Sequence, residues 1–318
     1  MEGESLWQKT SARMVDCSQL CDEVNATGWD VDYQQVDRGK FAATFESVQG
    51  EHLLIAEEFF NRGLLMFGTP PPNTISILHN WGKRDRGKFQ GKRVELHDVL
   101  FMRASDEGIL RVPPGSHSVT ISVSHQKLAE ALQVYNGSEL SNHLAESGSI
   151  SFSPALIRQL RMIVSDAFHS PEDVKNPRCF EDAALQLLAQ GLSEGPSHPS
   201  KPRRLLNRSQ YVRIAREYID SRLADDFGMG DVARAAGVST RTLQSAFLSV
   251  LGVRPVEYIR KQRLSRTRTV LLDRRRSDEP IGKVAADHGL HHQSIFSRDY
   301  KMLFGELPSE TIRARRPN

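Results

Sequence analysis

At 318 residues, with 42 Lys and Arg against 39 Asp and Glu and 39% hydrophobic residues, the chain has the composition of an ordinary folded protein with length for two hydrophobic cores. No run approaches the roughly 18 apolar residues of a membrane span, the first residues lack a basic and then apolar leader, and three cysteines make no disulfide framework. A cytoplasmic protein with no membrane association is expected.

The net charge of +3 conceals a division. After residue 200 there are 24 Lys and Arg, twenty of them Arg, against 13 Asp and Glu; the first 200 residues hold 18 against 26. A basic domain is drawn to the phosphate backbone by counterion release, so the charge split places nucleic-acid binding in the C-terminal third.

In chain order, Cys17 and Cys21 come first, and burial is the default reading of such an isolated pair. From about Lys40 to Ser124 the chain then reads as short strands at 41–45, 53–57, 64–67, 74–78, 94–97, 99–102, 109–112 and 118–123, punctuated by Gly, Pro, Asn and Asp. Many short strands at this spacing predict a sandwich or barrel. Within it, Asp37-Arg-Gly-Lys-Phe41 and Asp85-Arg-Gly-Lys-Phe89 repeat one turn, the second inside the basic stretch Lys83–Arg93. A solvated hairpin is the default reading of that stretch, and an anion site the alternative. His52, His79, His97, His117 and His125 are scattered singly, without the close spacing a metal oxygenase needs, so a non-catalytic binding domain is favoured over an enzyme.

Leu156, Leu160, Ile163 and Val164, then Phe180, Ala184, Leu187 and Leu188, have helical spacing. They fit either core packing or a dimer contact. Residues 191–206 read as a Gly, Ser and Pro-rich linker.

The last hundred residues twice spell helix, glycine turn, helix: Asp231 to Phe247 around Gly237, and Ile281 to Arg298 around Gly289. Val232, Ala236, Val238, Leu243 and Phe247 have inward spacing in the first unit, as do Val284, Ala285, Leu290, Phe296 and Tyr300 in the second. Thr240, Arg241, Gln244 and Ser245 are left facing outward in the first unit. His292, Gln293, Ser294, Ile295 and Arg298 are left outward in the second. Arg and Gln can bond bidentately to guanine and adenine edges, and Ile suits a thymine methyl. His288, His291 and His292 lie close together, but no carboxylate or cysteine completes a zinc site. From Pro255 to Leu272 a connecting helix about 27 Å long would hold two recognition helices near one DNA turn apart, about 34 Å.

The string Ser239-x-Arg241-x-Leu243-x3-Phe247, then Gly252-x2-Pro255-x2-Tyr258-x4-Arg263-Leu264, then Ile281-x3-Ala285-x3-Gly289-Leu290-x5-Phe296-Ser297-Arg298-x-Tyr300-Lys301-x3-Gly305-x2-Pro308 strongly resembles the DNA-binding domain of AraC/XylS-type transcriptional regulators. The resemblance covers about residues 207–314. It departs where Ser245 stands in place of a common arginine, and where Leu290 and Tyr300 stand in place of phenylalanines. It implies an α+β protein: a cupin-like effector-sensing β-barrel or sandwich over 1–150, a helical dimerisation segment over 151–190, the linker, and an all-α double helix-turn-helix domain over 207–314. It also implies a sequence-specific regulator, leaning to activator, with double-stranded DNA, RNA polymerase and a second copy as partners. A cupin-type metal enzyme tethered to DNA and an architectural DNA binder are the alternatives. No cofactor is identified. Arg84-x3-Lys88 followed by Arg103-x-Ser105-x2-Gly108 faintly resembles the paired motif of PilZ-type cyclic di-GMP receptors. With Arg86, these residues form a candidate effector site for an anionic nucleotide such as cyclic di-GMP.

Overall fold

The computed structural model describes residues 8–82, 85–144, 146–169, 177–195, 203–276 and 279–315. The N-terminal part begins with β1 (Gln8–Met14), α1 (Cys17–Asn25), β2 (Asp30–Gln35), β3 (Ala43–Gln49), β4 (Leu53–Phe60), β5 (Leu64–Thr69) and β6 (Thr74–Asn80). It continues through β7 (Lys88–Phe89), β8 (Lys92–Arg93), β9 (Asp98–Arg103), β10 (Gly108–Val112), β11 (Ser116–Ser124), α2 (His125–Asn136), α3 (Leu140–His143), β12 (Gly148–Ser151), α4 (Pro154–His169) and α5 (Pro177–Glu194). The C-terminal part is helical: α6 (Arg203–Asp220), α7 (Met229–Ala235), α8 (Thr240–Val250), α9 (Pro255–Leu272), α10 (Ile281–Ala286), α11 (Gln293–Phe304) and α12 (Pro308–Arg315), with a 3-10 turn over Arg274–Arg276.

The strands form two antiparallel sheets, one of seven in the order β1-β3-β4-β11-β6-β9-β12 and one of five in the order β2-β5-β10-β7-β8. Because side chains alternate across a strand, the unbroken apolar run Leu64-Leu65-Met66-Phe67 of β5 requires cover on both faces. Leu64 and Met66 point between the sheets, against Phe45, Ala56, Leu78 and Leu100 of the larger sheet. Leu65 and Phe67 point the other way, into a core shared with Val212, Ala215, Phe247 and Tyr258 of the C-terminal helices. The far face of the seven-stranded sheet, through Leu53, Ile55, Ile77 and Ile121, is covered by α2, α4 and α5. The order of layers is helices, sheet, sheet, C-terminal helices. Each fully buried Leu, Ile or Phe contributes about 1.5–3 kcal/mol, so the shared third core is a strong junction.

Several expectations are corrected here. Residues 94–97 form no strand; two-residue β7 and β8 precede them, joined through Gln90 and Gly91 at φ of 51° and 79°. Residues 88–93 of the basic stretch form a hairpin, but not the solvated one read by default: Phe89 and Gln90 are buried, and Lys88 reaches the Ser249 carbonyl of α8 at 3.4 Å. Strands β1, β2 and β12 and helix α1 carry no strand or helix expectation at all. The apolar positions of 151–190 lie within one subunit's core: Leu156, Leu160, Val164, Ala184, Leu187 and Leu188 are buried against the sheet, with Ile163 and Phe180 half-buried. Their spacing is therefore accounted for without a second copy. Both ends of the expected linker are helical, since α5 runs to Glu194 and α6 starts at Arg203; 196–202 lie outside the described residues.

Candidate nucleic-acid interface

Each helix-turn-helix is set by local chemistry. Gly237 takes φ 65° after α7, a left-handed conformation that glycine adopts without strain, and the Val238 amide donates to the Ala233 carbonyl at 3.0 Å. Ser239 then caps α8, its hydroxyl accepting from the Thr242 amide at 3.1 Å. In the second unit Gly289 repeats the turn at φ 72°, and the Leu290 amide donates to the Ala285 carbonyl at 2.9 Å. His288 leaves any exposed histidine cluster, because its Nδ1 sits 2.8 Å from the Val284 carbonyl.

The inward faces are as the spacing predicts. Val232, Ala236, Leu243 and Phe247 are buried, as are Val284, Ala285, Phe296 and Tyr300, while Val238 and Leu290 are half-buried. All nine expected base readers are exposed: Thr240, Arg241, Gln244 and Ser245 on α8, and His292, Gln293, Ser294, Ile295 and Arg298 on or beside the start of α11. Ile295 shows 40% of its surface to solvent and lines a groove with Phe227, Met229, Val256 and Ile259. The packing of the sheets against these helices leaves both recognition faces open.

Helix α9 spans the expected 255–272 and begins on Pro255, where a missing amide costs nothing. Arg263 on it ties the units together, donating to the carbonyls of Leu223 at 3.1 Å, Asp225 at 3.0 Å and Gly289 at 3.2 Å. Asp299, buried on α11, pairs with Arg260 of α9 and accepts from its neighbour Arg298 at 3.3 Å. One expected base reader is thus oriented from behind by a buried carboxylate.

Sequence reasoning assigned the arginine excess to DNA, and part of it does other work. Arg216 of α6, 17% exposed, pairs with Glu107 at 2.8 Å, with Asp32 at 3.2 Å and with Asp220 at 3.2 Å, its guanidinium 4.1 Å from the Phe67 ring centre. Arg213 adds a bond to Glu107 at 2.6 Å. Burial pushes the Asp220 carboxyl up to about 6 against the pull of Arg216. Arg268 of α9, 8% exposed, donates to Asp16 at 2.5 Å, Glu306 at 2.7 Å, and Tyr300 and Thr311 at 3.2 Å. Gln35 donates to the Leu303 carbonyl at 2.8 Å, Gln34 to that of Tyr258 at 3.3 Å, and Arg111 to that of Leu251 at 3.0 Å. The sheet domain therefore holds both helix-turn-helix units. The available signal was Arg268 itself, which shares a helix face with Leu264 and Leu271 at spacings of four and three.

The candidate effector residues do not assemble. Arg84 lies outside the described residues. Arg86 donates to the Asn80 carbonyl, and Lys88 reaches the Ser249 carbonyl of α8 at 3.4 Å. Arg103 pairs in register with Ile75, near the other end of β6 from Asn80, which at about 3.3 Å per residue puts roughly 17 Å between the two groups. Arg103 and Ser105 instead line an open groove of 1050 Å³ with α2. The space between the sheets is nearly filled: Trp29, Tyr33, Phe45, Glu58, Phe60 and Met66 surround a cavity of 30 Å³, about one water. Burial pushes the Glu58 carboxyl up to about 7, although Tyr33 donates to it at 3.1 Å. Among the described residues no three His, Cys, Asp or Glu side chains are grouped to hold a metal ion, and no helix is long and apolar enough to cross a membrane.

Residues 232–314 match the family model described as "Helix-turn-helix domain". Among curated relatives, the "Probable thc operon regulatory protein" of Rhodococcus erythropolis is 25% identical over 226 residues, 68% of each chain. The "XylDLEGF operon transcriptional activator 1" of Pseudomonas putida is 32% identical over 160 residues, 50% of this chain and 47% of that one. The match to that activator therefore spans about half of its length. Among solved structures, that of the AraC-like transcriptional activator CuxR aligns over 81% of this chain and 94% of its own at 14% identity, with a TM-score of 0.42. Both curated relatives are named as regulators of operons.

Proposed function

We propose that this chain, whose C-terminal part is an AraC/XylS-type helix-turn-helix domain, is a sequence-specific DNA-binding transcription regulator that acts as an activator. One observation carries the reading: two exposed polar faces, each behind a glycine turn, are presented by one buried scaffold in a domain with excess arginine. Arg241 and Gln244, and then Gln293 and Arg298, have the donor and acceptor chemistry for base edges in two successive major grooves. Arg234 and Lys283, also exposed, supply cations for phosphate. RNA polymerase is the partner an activator requires.

The sheet domain, in this reading, makes the activity responsive to a small molecule, through contacts that reach both helix-turn-helix units. Cyclic di-GMP at a joint Arg84, Arg86, Lys88, Arg103 and Ser105 site has no such support, because the described members of that set stand at opposite ends of β6. A homodimer is also part of the proposal. Its support is the groove of 860 Å³ between α2, α4 and α5, rimmed by Val134, Tyr135 and Met162 at 84%, 44% and 65% exposure. Sedimentation of the full chain across micromolar concentrations checks it, a monomer throughout being the contrary result. Selection of bound duplexes from a random pool tests the main reading. Enrichment of a defined site supports it, and retention of DNA without any preferred sequence would favour an architectural binder.

A further inference from the structure

The basic hairpin that the DNA-binding reading leaves unused begins beside an unsatisfied cluster. Trp81 follows β6 and its indole Nε1 is shielded from solvent with no hydrogen-bond partner; the same holds for Nε of Arg86. A buried N–H left unpaired forfeits its hydration without compensation, and here two such donors belong to residues that both lie beside Arg161. The elements around them add positive charge. Arg161 of α4 lays its guanidinium over the Trp81 ring, 5.0 Å from the centre, and exposes the rest of the side chain. Burial, and then the neighbouring Arg161, hold the Arg86 pKa below its ordinary value.

The other faces of the cluster do not neutralise it. His79 beneath is buried and kept neutral at physiological pH, its pKa lowered to about 4 by burial first and then by Arg86, Arg161 and His97; its Nδ1 lies 2.9 Å from the Asp98 carbonyl. His117 meets Trp81 edge-on at 5.6 Å and is already engaged by Glu57 at 3.5 Å. Among the described residues no carboxylate pairs with Arg86 or Arg161, whereas Arg213, Arg216, Arg260 and Arg268 all have acidic partners. Two like charges held together with two idle donors are a cost that an oxyanion removes, since each of its oxygens accepts a charge-assisted bond.

We propose that Trp81, Arg86 and Arg161 form a binding site for a small oxyanion, a phosphate group or a carboxylate. Trp81 Nε1 and Arg86 Nε donate to its oxygens, and Arg161 closes over it from α4. Arg86 begins the segment that carries Lys88 to the Ser249 carbonyl of α8, with Gly87 between them. That segment packs closely at Gly87, where a Cβ would collide with the Arg111 carbonyl oxygen.

The test titrates the full chain with inorganic phosphate and, separately, with acetate, at ionic strength fixed by chloride. Calorimetry and tryptophan emission are both recorded, on wild type, Arg86→Gln, Arg161→Ala, Trp81→Phe and the control Arg158→Ala, which alters an exposed arginine of the same helix. Saturable binding of one equivalent of either anion is expected. It should weaken at least about tenfold in Arg86→Gln and Arg161→Ala and be unchanged in Arg158→Ala, with the emission change lost in Trp81→Phe. Which anion binds more tightly identifies the headgroup. Arg161 is exposed, so its variant keeps the fold, and an unshifted melting curve verifies this. Absence of saturable binding of both anions to wild type, or equal affinity in Arg86→Gln and Arg161→Ala, overturns the proposal.

Discussion

Replacing Arg268 by alanine should unlock the sheet domain from the second helix-turn-helix unit. The guanidinium is 8% exposed and donates to Asp16 and Glu306 at 2.5 and 2.7 Å and to the hydroxyls of Tyr300 and Thr311 at 3.2 Å. Its removal leaves two carboxylates, 9% and 14% exposed, without their ion-pair partner. Breaking a buried pair from one side costs about 3–5 kcal/mol, several times the net value of a neutral hydrogen bond. Against a total stability of about 5–15 kcal/mol, that loss is visible as a shifted denaturant midpoint. It should also split the unfolding curve, because Asp16 and Arg268 come from different layers of the fold. Asp16→Asn on the Arg268→Met background should restore part of the loss, giving a coupling of about 0.5–3 kcal/mol. A midpoint in Arg268→Ala within about 0.5 kcal/mol of wild type would refute the assignment of this contact as a lock.

The pH response of the sheet core is a second expectation. Glu58 has a folded pKa of about 7, above its ordinary 4.5, so the folded state holds the extra proton between these values and stability falls as pH rises through that window. The loss is on the order of 3 kcal/mol and should vanish in Glu58→Gln, measured as a difference because His79, lowered to about 4, acts with the opposite sign between pH 4 and 6.5. A wild-type minus variant difference that is flat with pH would contradict it. Asp299→Asn should cost about 1–3 kcal/mol of stability by leaving Arg260 without its partner, and should weaken specific DNA binding by releasing Arg298. Thermal melts and duplex titrations read the two effects; normal affinity in the variant would mean that Arg298 needs no support.

The helix-turn-helix units were legible because their punctuation is local: Gly237, Ser239 and Gly289 each serve a backbone need that only a few residue types meet. The central strands were legible for a similar reason, as Leu64 to Phe67 has no polar face to mistake for a helix or loop. Strand β2 was not, since Asp30, Asp32, Gln34 and Gln35 interrupt it with polar side chains whose partners, Arg216, Tyr258 and Leu303, lie some 180 to 270 residues away. Nothing local signals that Gln34 and Gln35 are buried. The same distance hid the double role of arginine: composition places the charge in the C-terminal part, and only packing separates Arg241 at the surface from Arg268 in the core. The effector motif failed for a geometric reason, because residues close in sequence across β6 and β9 run to opposite ends of the sheet.

The most direct test of the DNA-reading account is to recover the preferred duplex from a random pool with the full chain and then to titrate it, and single-base variants of it, against wild type, Arg241→Ala and Arg298→Ala at fixed salt. The expected site has two clusters of required bases about 10 base pairs apart. Each alanine variant should lose about 1–3 kcal/mol and become indifferent at a position within one cluster, Arg241 in one and Arg298 in the other, while nonspecific binding hardly changes. Recovery of a single cluster, or wild-type affinity in both folded variants, would contradict it.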